Sequence, residues 1–115
     1  LTVPDAAAAR DFYREVIGWS VQDVPVEDGD GRYADYAMLG GDGQGAATIR
    51  HARGPNAGLP PVWMLYLTVG DIAESLRRAE AEGGRVIKEV RDRDGAYVCA
   101  AIQDPVGVCF GLVPG

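Results

Sequence analysis

A chain of 115 residues carries about one domain's worth of sequence, long enough to bury a core without disulfide or metal staples. Apolar residues at 47% and charged residues at 24% give an ordinary globular composition, and no apolar run approaches the roughly 18 residues of a membrane span. A net charge of −6 excludes the basic surface that a nucleic-acid binder needs.

In chain order, Leu1 to Val3 reads as the tail of a strand. Asp5 is a good N-cap, and Ala6 to Ile17 carries helix formers with Phe12, Val16 and Ile17 on one stripe before Gly18 stops the helix. Trp19 to Val24 alternates as a strand, and Pro25 to Arg32 is a polar, Gly-rich turn. Tyr33 to Leu39 and Ala46 to His51 are two strands joined by a glycine-rich loop, and residues 52–61 form a linker rich in proline and glycine. Val62 to Val69 is then a strand. Asp71 caps a helix running to about Glu82, with Ile72, Leu76 and Ala79 inward, and Gly83-Gly84 ends it. Val86 to Arg91 is a strand, Asp92 to Gly95 a turn, and Ala96 to Gln103 with Val108 to Val113 a closing hairpin.

The plan repeats. Leu1-Thr-Val-Pro-Asp5 and its helix up to Gly18 match Leu67-Thr-Val-Gly-Asp71 and its helix up to Gly84, at a gapless offset of about 66 residues. The order is β-α-β-β-β twice, an α+β class with antiparallel hairpins. It divides one domain, 1–115, into a first module at 1–51, the linker at 52–61 and a second module at 62–113.

Parity assigns faces. Trp63, Leu65, Leu67 and Val69 fall on an all-apolar side expected under the helices. Met64, Tyr66 and Thr68 fall on a mixed side, of the kind that is concave and sees ligand or water. If Gln103 pairs with Val108, then Val98, Ala100, Ile102, Cys109 and Gly111 join the mixed side, while Cys99, Ala101, Phe110 and Leu112 lie under the helix. In the first module Thr2, Tyr36, Met38, Thr48 and Arg50 share the mixed side. A one-residue slip would reverse any of these assignments.

Cys99 and Cys109 fit no metal spacing and in that register point to opposite faces, so they read as small buried apolar groups in a reducing, cytoplasmic compartment. The acidic residues Asp23, Glu27, Asp28, Asp30, Asp35 and Asp42 read first as a solvated loop and second as a field that attracts cationic ligands. His51, the single histidine, shows no orienting partner in the sequence and is assigned no catalytic role.

Phe12-Tyr-Arg-Glu-Val-Ile-Gly-Trp19, Trp63-Met-Leu-Tyr-Leu-Thr-Val-Gly-Asp71, Gly83-Gly84 and Asp104-Pro-Val-Gly-Val-Cys-Phe-Gly-Leu112 together resemble the vicinal oxygen chelate superfamily. That superfamily contains glyoxalase I, extradiol dioxygenases, methylmalonyl-CoA epimerase, fosfomycin resistance enzymes and bleomycin-binding proteins. The resemblance implies two tandem β-α-β-β-β modules forming a half-open curved sheet with a concave cleft, and a homodimer. It also implies metal-ligand positions in the first and last strands of each module. These fall on Thr48, Met64, Gly111 and a place about three residues before Leu1. Thr, Met and Gly offer no carboxylate or imidazole to a divalent cation.

The expectation is therefore a protein without a metal cofactor that binds a flat apolar small molecule, as the drug-sequestering, antibiotic-resistance members of the family do. Tyr36, Met64, Tyr66, Val98, Ala100 and Gly111 would line the cleft, with Thr48 and Arg50 at one side and Trp19 and Trp63 at its edge. Trp63 is also a core candidate by parity. No nucleic acid or membrane partner is expected. The alternative is a metal-dependent lyase, epimerase or dioxygenase of glyoxalase type.

Overall fold

The structure, a computed structural model, describes residues 1–115 apart from the side chain of Pro55. The chain divides into two compact units, Leu1–Trp63 and Met64–Gly115. The first runs β1 (Thr2–Val3), α1 (Ala6–Ile17), β2 (Ser20–Asp28), β3 (Gly31–Leu39) and β4 (Gly45–His51). The second runs β5 (Tyr66–Val69), α2 (Ile72–Ala81), β6 (Arg85–Arg91), β7 (Tyr97–Gln103) and β8 (Cys109–Pro114). Each holds one open four-stranded sheet, ordered β1-β4-β3-β2 and β5-β8-β7-β6, so the α+β class and the repeated β-α-β-β-β order are observed. In both sheets the first strand pairs parallel with the last, and the hairpins are antiparallel.

Both helices start as the sequence implies. The Asp5 carboxylate accepts from the Ala8 N–H at 3.0 Å and the Asp71 carboxylate from the Glu74 N–H at 3.1 Å, each satisfying an orphan donor of the first turn. Each helix covers one face of its sheet. In the first unit Ala6, Tyr36, Met38 and Ile49 form the buried cluster. In the second the cluster is Ile72, Leu76, Ala100, Ile102 and Leu112.

Three expectations about the strands change. Pro25 to Asp28 continues β2 instead of turning, and Pro25 pairs with Ala34. β2 is the edge of its sheet, the place where a strand tolerates proline. β5 begins at Tyr66, not Val62, and Leu65 and Leu67, expected under α2, are exposed. Phe12, Val16 and Ile17 of α1 are also exposed, because Ala6 belongs to the first cluster and Ala7, Ala9 and Tyr13 pack against it in their place.

The closing hairpin carries the most consequential correction. Gln103 pairs with Cys109, not Val108. The Asp104 N–H donates to the Val108 carbonyl at 2.8 Å, and the Asp104 carboxylate accepts from the N–H groups of Val106 and Val108 at 2.9 Å each. The loop is thus three residues, Pro105 to Gly107, with Gly107 at φ 96° in the left-handed region such a loop requires. The one-residue change reverses β7. Ala100 and Ile102 lie under α2 while Cys99 and Ala101 share the uncovered face with Gly111 and Cys109. The two half-buried cysteines are then on one face, but four residues apart along the strand, roughly 13 Å. That separation exceeds what a disulfide spans.

Candidate functional site

The face of the second sheet that points away from α2 is built around Tyr66. Tyr66 pairs with Gly111, Gly111 with Ala101, and Ala101 with Lys88, so these four lie in one row across the sheet. The Tyr66 ring lies on Gly111, and a Cβ added at position 111 would overlap the ring carbons. Glycine here is a steric requirement of the aromatic ring beside it. Cys99, Gln103 and Cys109 share this face by register, and Thr68 lies further along β5. Met64 is half-buried just before β5 begins. In this row Gly111 and Ala101 are themselves buried, the half-buried Tyr66 ring covers Gly111, and Lys88 stands at the far end, so the aromatic ring is the apolar group the row offers to a ligand.

The uncovered face of the first sheet is different. The pairings of Thr2 with Arg50 and of Thr48 with Ala37 place Thr2, Ala37, Thr48 and Arg50 together on it. Asp35 shares their parity and is buried, its carboxylate accepting from the His51 N–H at 2.8 Å and lying 3.3 Å from His51 Nδ1. Nearby, Arg53 forms a two-point bond to Asp28 at 2.9 and 3.0 Å and lies over the Tyr33 ring at 4.1 Å. The Arg53 guanidinium holds the Asp28 carboxyl below its ordinary range, with the Asp30 N–H adding to the effect. Burial raises the Tyr33 phenol above its ordinary value.

Of the residues the sequence nominated, the structure places Tyr66 and Gly111 against each other, and Thr48 and Arg50 on one face of the first sheet. Two are displaced from the expected side. Tyr36, 6% exposed, packs under α1 with Met38, because β3 pairs Tyr36 with the core residue Ile49. Ala100, 1% exposed, lies under α2 through the hairpin register described above. Val98 is exposed at a bulge: Val90 pairs with Cys99 and Arg91 with Tyr97, leaving Val98 without a partner residue in the ladder. Trp63 is 42% exposed and not in the core; its indole N–H donates to the Tyr13 hydroxyl at 3.0 Å, and Trp19 meets it edge-on at 6.1 Å.

Sequence reasoning missed Asp35 as the partner of His51. The signal was present in the β3–β4 ladder, since pairing Tyr36 with Ile49 brings Asp35 to the end of β4. Tyr13, separated from Trp63 by 50 residues, left no local signal.

The positions that resemblance assigns to metal ligands do not fit a hard cation. Thr48 offers one hydroxyl, Met64 a thioether, and the space a side chain at 111 would take is filled by the Tyr66 ring. Among the described residues no group of three or more His, Cys, Asp or Glu side chains converges as a metal site.

Residues 1–112 match the model of the Glyoxalase/Bleomycin resistance protein/Dioxygenase superfamily. A candidate glyoxylase of Mycobacterium bovis, CFP32, is 34% identical over 112 residues, covering 97% of this chain and 42% of that protein. The anthracycline biosynthesis protein DnrV of Streptomyces peucetius is 32% identical over 121 residues, covering 95% of this chain and 42% of that protein. The chain thus spans about two fifths of the length of these relatives. A solved glyoxalase family protein from Bacillus cereus overlays at a TM-score of 0.41 with 21% identity, covering 99% of this chain and 89% of that one.

Proposed function

Because the chain belongs to the Glyoxalase/Bleomycin resistance protein/Dioxygenase superfamily, we propose that it is a metal-independent small-molecule-binding protein. Its ligand is flat and largely apolar, and it docks on the face of the second sheet that carries Tyr66. The observation that supports this reading is the Tyr66 ring on Gly111. A position where metal-dependent relatives would need a carboxylate instead supports an aromatic stacking surface. Antibiotic sequestration or handling is the role that fits, and DnrV, a relative named for anthracycline biosynthesis, supports the choice of ligand class. A second copy of the chain completes the proposed assembly.

Two measurements test the reading. Dialysis against a mixture of divalent metals should leave less than about a tenth of an equivalent bound, since metal catalysis requires an occupied site. Near-stoichiometric metal would return the protein to the metal-dependent lyases, epimerases and dioxygenases. Fluorescence titration with an anthracycline should show Tyr66→Ala binding about tenfold more weakly, about 1.4 kcal/mol, with the fold intact by circular dichroism. Equal affinity of the variant and the parent chain would remove Tyr66 from the site.

A further inference from the structure

We propose that His51 and Asp35 form a proton-accepting dyad in the first unit. In it Asp35 fixes the imidazole with its proton on Nδ1, and Nε2 is left as a base for a weakly acidic small molecule. This goes beyond the binding reading and does not depend on it, since Tyr66 and Gly111 belong to the other unit.

The geometry is that of a base with its orienting carboxylate. The Asp35 side chain is 7% exposed, and one of its oxygens faces both the backbone N–H and the ring Nδ1 of His51. A buried carboxylate that already accepts from a backbone donor is held in place. The neutral ring satisfies it best by placing its N–H at Nδ1. Nε2 has no hydrogen-bond partner among the described residues. The ring as a whole is 20% exposed.

The surroundings hold the imidazole. The Tyr33 ring meets it edge-on at 5.5 Å and the Tyr36 ring lies 6.1 Å away. Each tyrosine is backed by a cation, Arg53 over Tyr33 and Arg10 over Tyr36 at 4.6 Å. Rotating the ring would break the Asp35 contact and disturb both aromatic neighbours. Asp35 is thus a positioning residue and His51 the proton acceptor.

The substrate class follows from a neutral imidazole base: a small molecule with a phenolic or enolic O–H, or a C–H beside an electron-withdrawing group. The proton moves to Nε2, its bonding pair stays on the ligand oxygen or carbon, and the imidazolium charge is met by the Asp35 carboxylate through Nδ1–H. Return of the proton from Nε2 to the ligand restores the base.

Because His51 is the only histidine, its signals are unambiguous. Nitrogen-15 NMR of the neutral ring in the intact chain should show the proton on Nδ1 and a bare Nε2. A purely structural histidine has no requirement to leave Nε2 bare. The reaction probe is 5-nitrobenzisoxazole. Nε2 takes its C3 proton, the C–H pair becomes the third C–N bond of a nitrile, and the N–O bond breaks with its electrons on the phenolate that is released. His51→Ala and the size-matched His51→Gln should each lower the protein-dependent rate at least tenfold, and Asp35→Asn at least threefold, with circular dichroism unchanged. A proton found on Nε2 overturns the proposal without any variant. Smaller losses in folded His51 variants overturn it as well.

Discussion

The two sheets share strand order, Asp helix caps and parallel first-to-last pairing, yet their uncovered faces carry different chemistry. The first carries Thr48 and Arg50 beside the buried Thr2, with buried Asp35 tied to His51. The second presents Tyr66 on Gly111, with Ala101, two thiols and Lys88. A backbone repeat is maintained by a few residues, the caps and the inward apolar positions, and these leave the outward positions free to diverge. The first face is equipped for hydrogen bonding and charge, the second for stacking and burial.

The largest test asks whether the two cores are equivalent under these different faces. Met38 in the first and Ile102 in the second are fully buried. Replacing either by Ala should cost about 2–5 kcal/mol in chemical denaturation. If each unit carries its own core, Met38→Ala should lower the stability of amides in residues 1–63 more than those in 64–115, read by hydrogen exchange, and Ile102→Ala the reverse. Uniform loss across both would show one shared cooperative unit.

A smaller effect isolates the Tyr66 face. Gly111→Ala forces the Tyr66 ring to move and should cost about 1–3 kcal/mol. In Tyr66→Ala the same glycine substitution should cost much less, because the ring that blocked the Cβ is gone. An additive double-mutant cycle would mean that the ring and the glycine are not coupled.

The comparison also explains what was legible in sequence. Elements set by local chemistry were readable: α1 spans Ala6–Ile17, as its Asp cap and Gly stop imply, and the repeat gave the order of strands. Faces were less readable because they depend on register. In β7 a single residue of hairpin length, set by Asp104 binding two backbone N–H groups, moved Ala100 from the expected ligand side into the core. In the first unit Tyr36 faces α1 because its partner Ile49 does, and parity within one strand contains no information about which side the helix covers. Of the candidate site, the pair Tyr66 and Gly111 was named from sequence, whereas the ring-on-glycine contact and the Asp35–His51 pair depend on strand pairing.

The smallest effect contrasts two tyrosines, each stacked by an arginine. Arg53 lies over Tyr33 and Arg91 over Tyr97, but the hydroxyls differ. Tyr97 donates to Glu89 at 2.7 Å, whereas the Tyr33 hydroxyl is buried without a partner among the described residues. Removing a buried, unpaired hydroxyl forfeits no bond, so Tyr33→Phe should hold or gain stability, by up to about 1 kcal/mol, while Tyr97→Phe should lose some. The pH dependence sharpens the contrast. Burial, then the charges of Asp35 and Asp28, raise the Tyr33 phenol in the folded chain. The unfolded phenol ionises near pH 10, so the folded state is favoured below that pH and loses this support as pH climbs toward the folded value. Thermal melts between pH 9 and pH 11, about one unit either side of the unfolded phenol's value, should therefore fall less steeply for Tyr33→Phe than for the parent chain. An equal slope would mean that the phenol is solvated in the folded state and that the stack over it leaves its edge open to water.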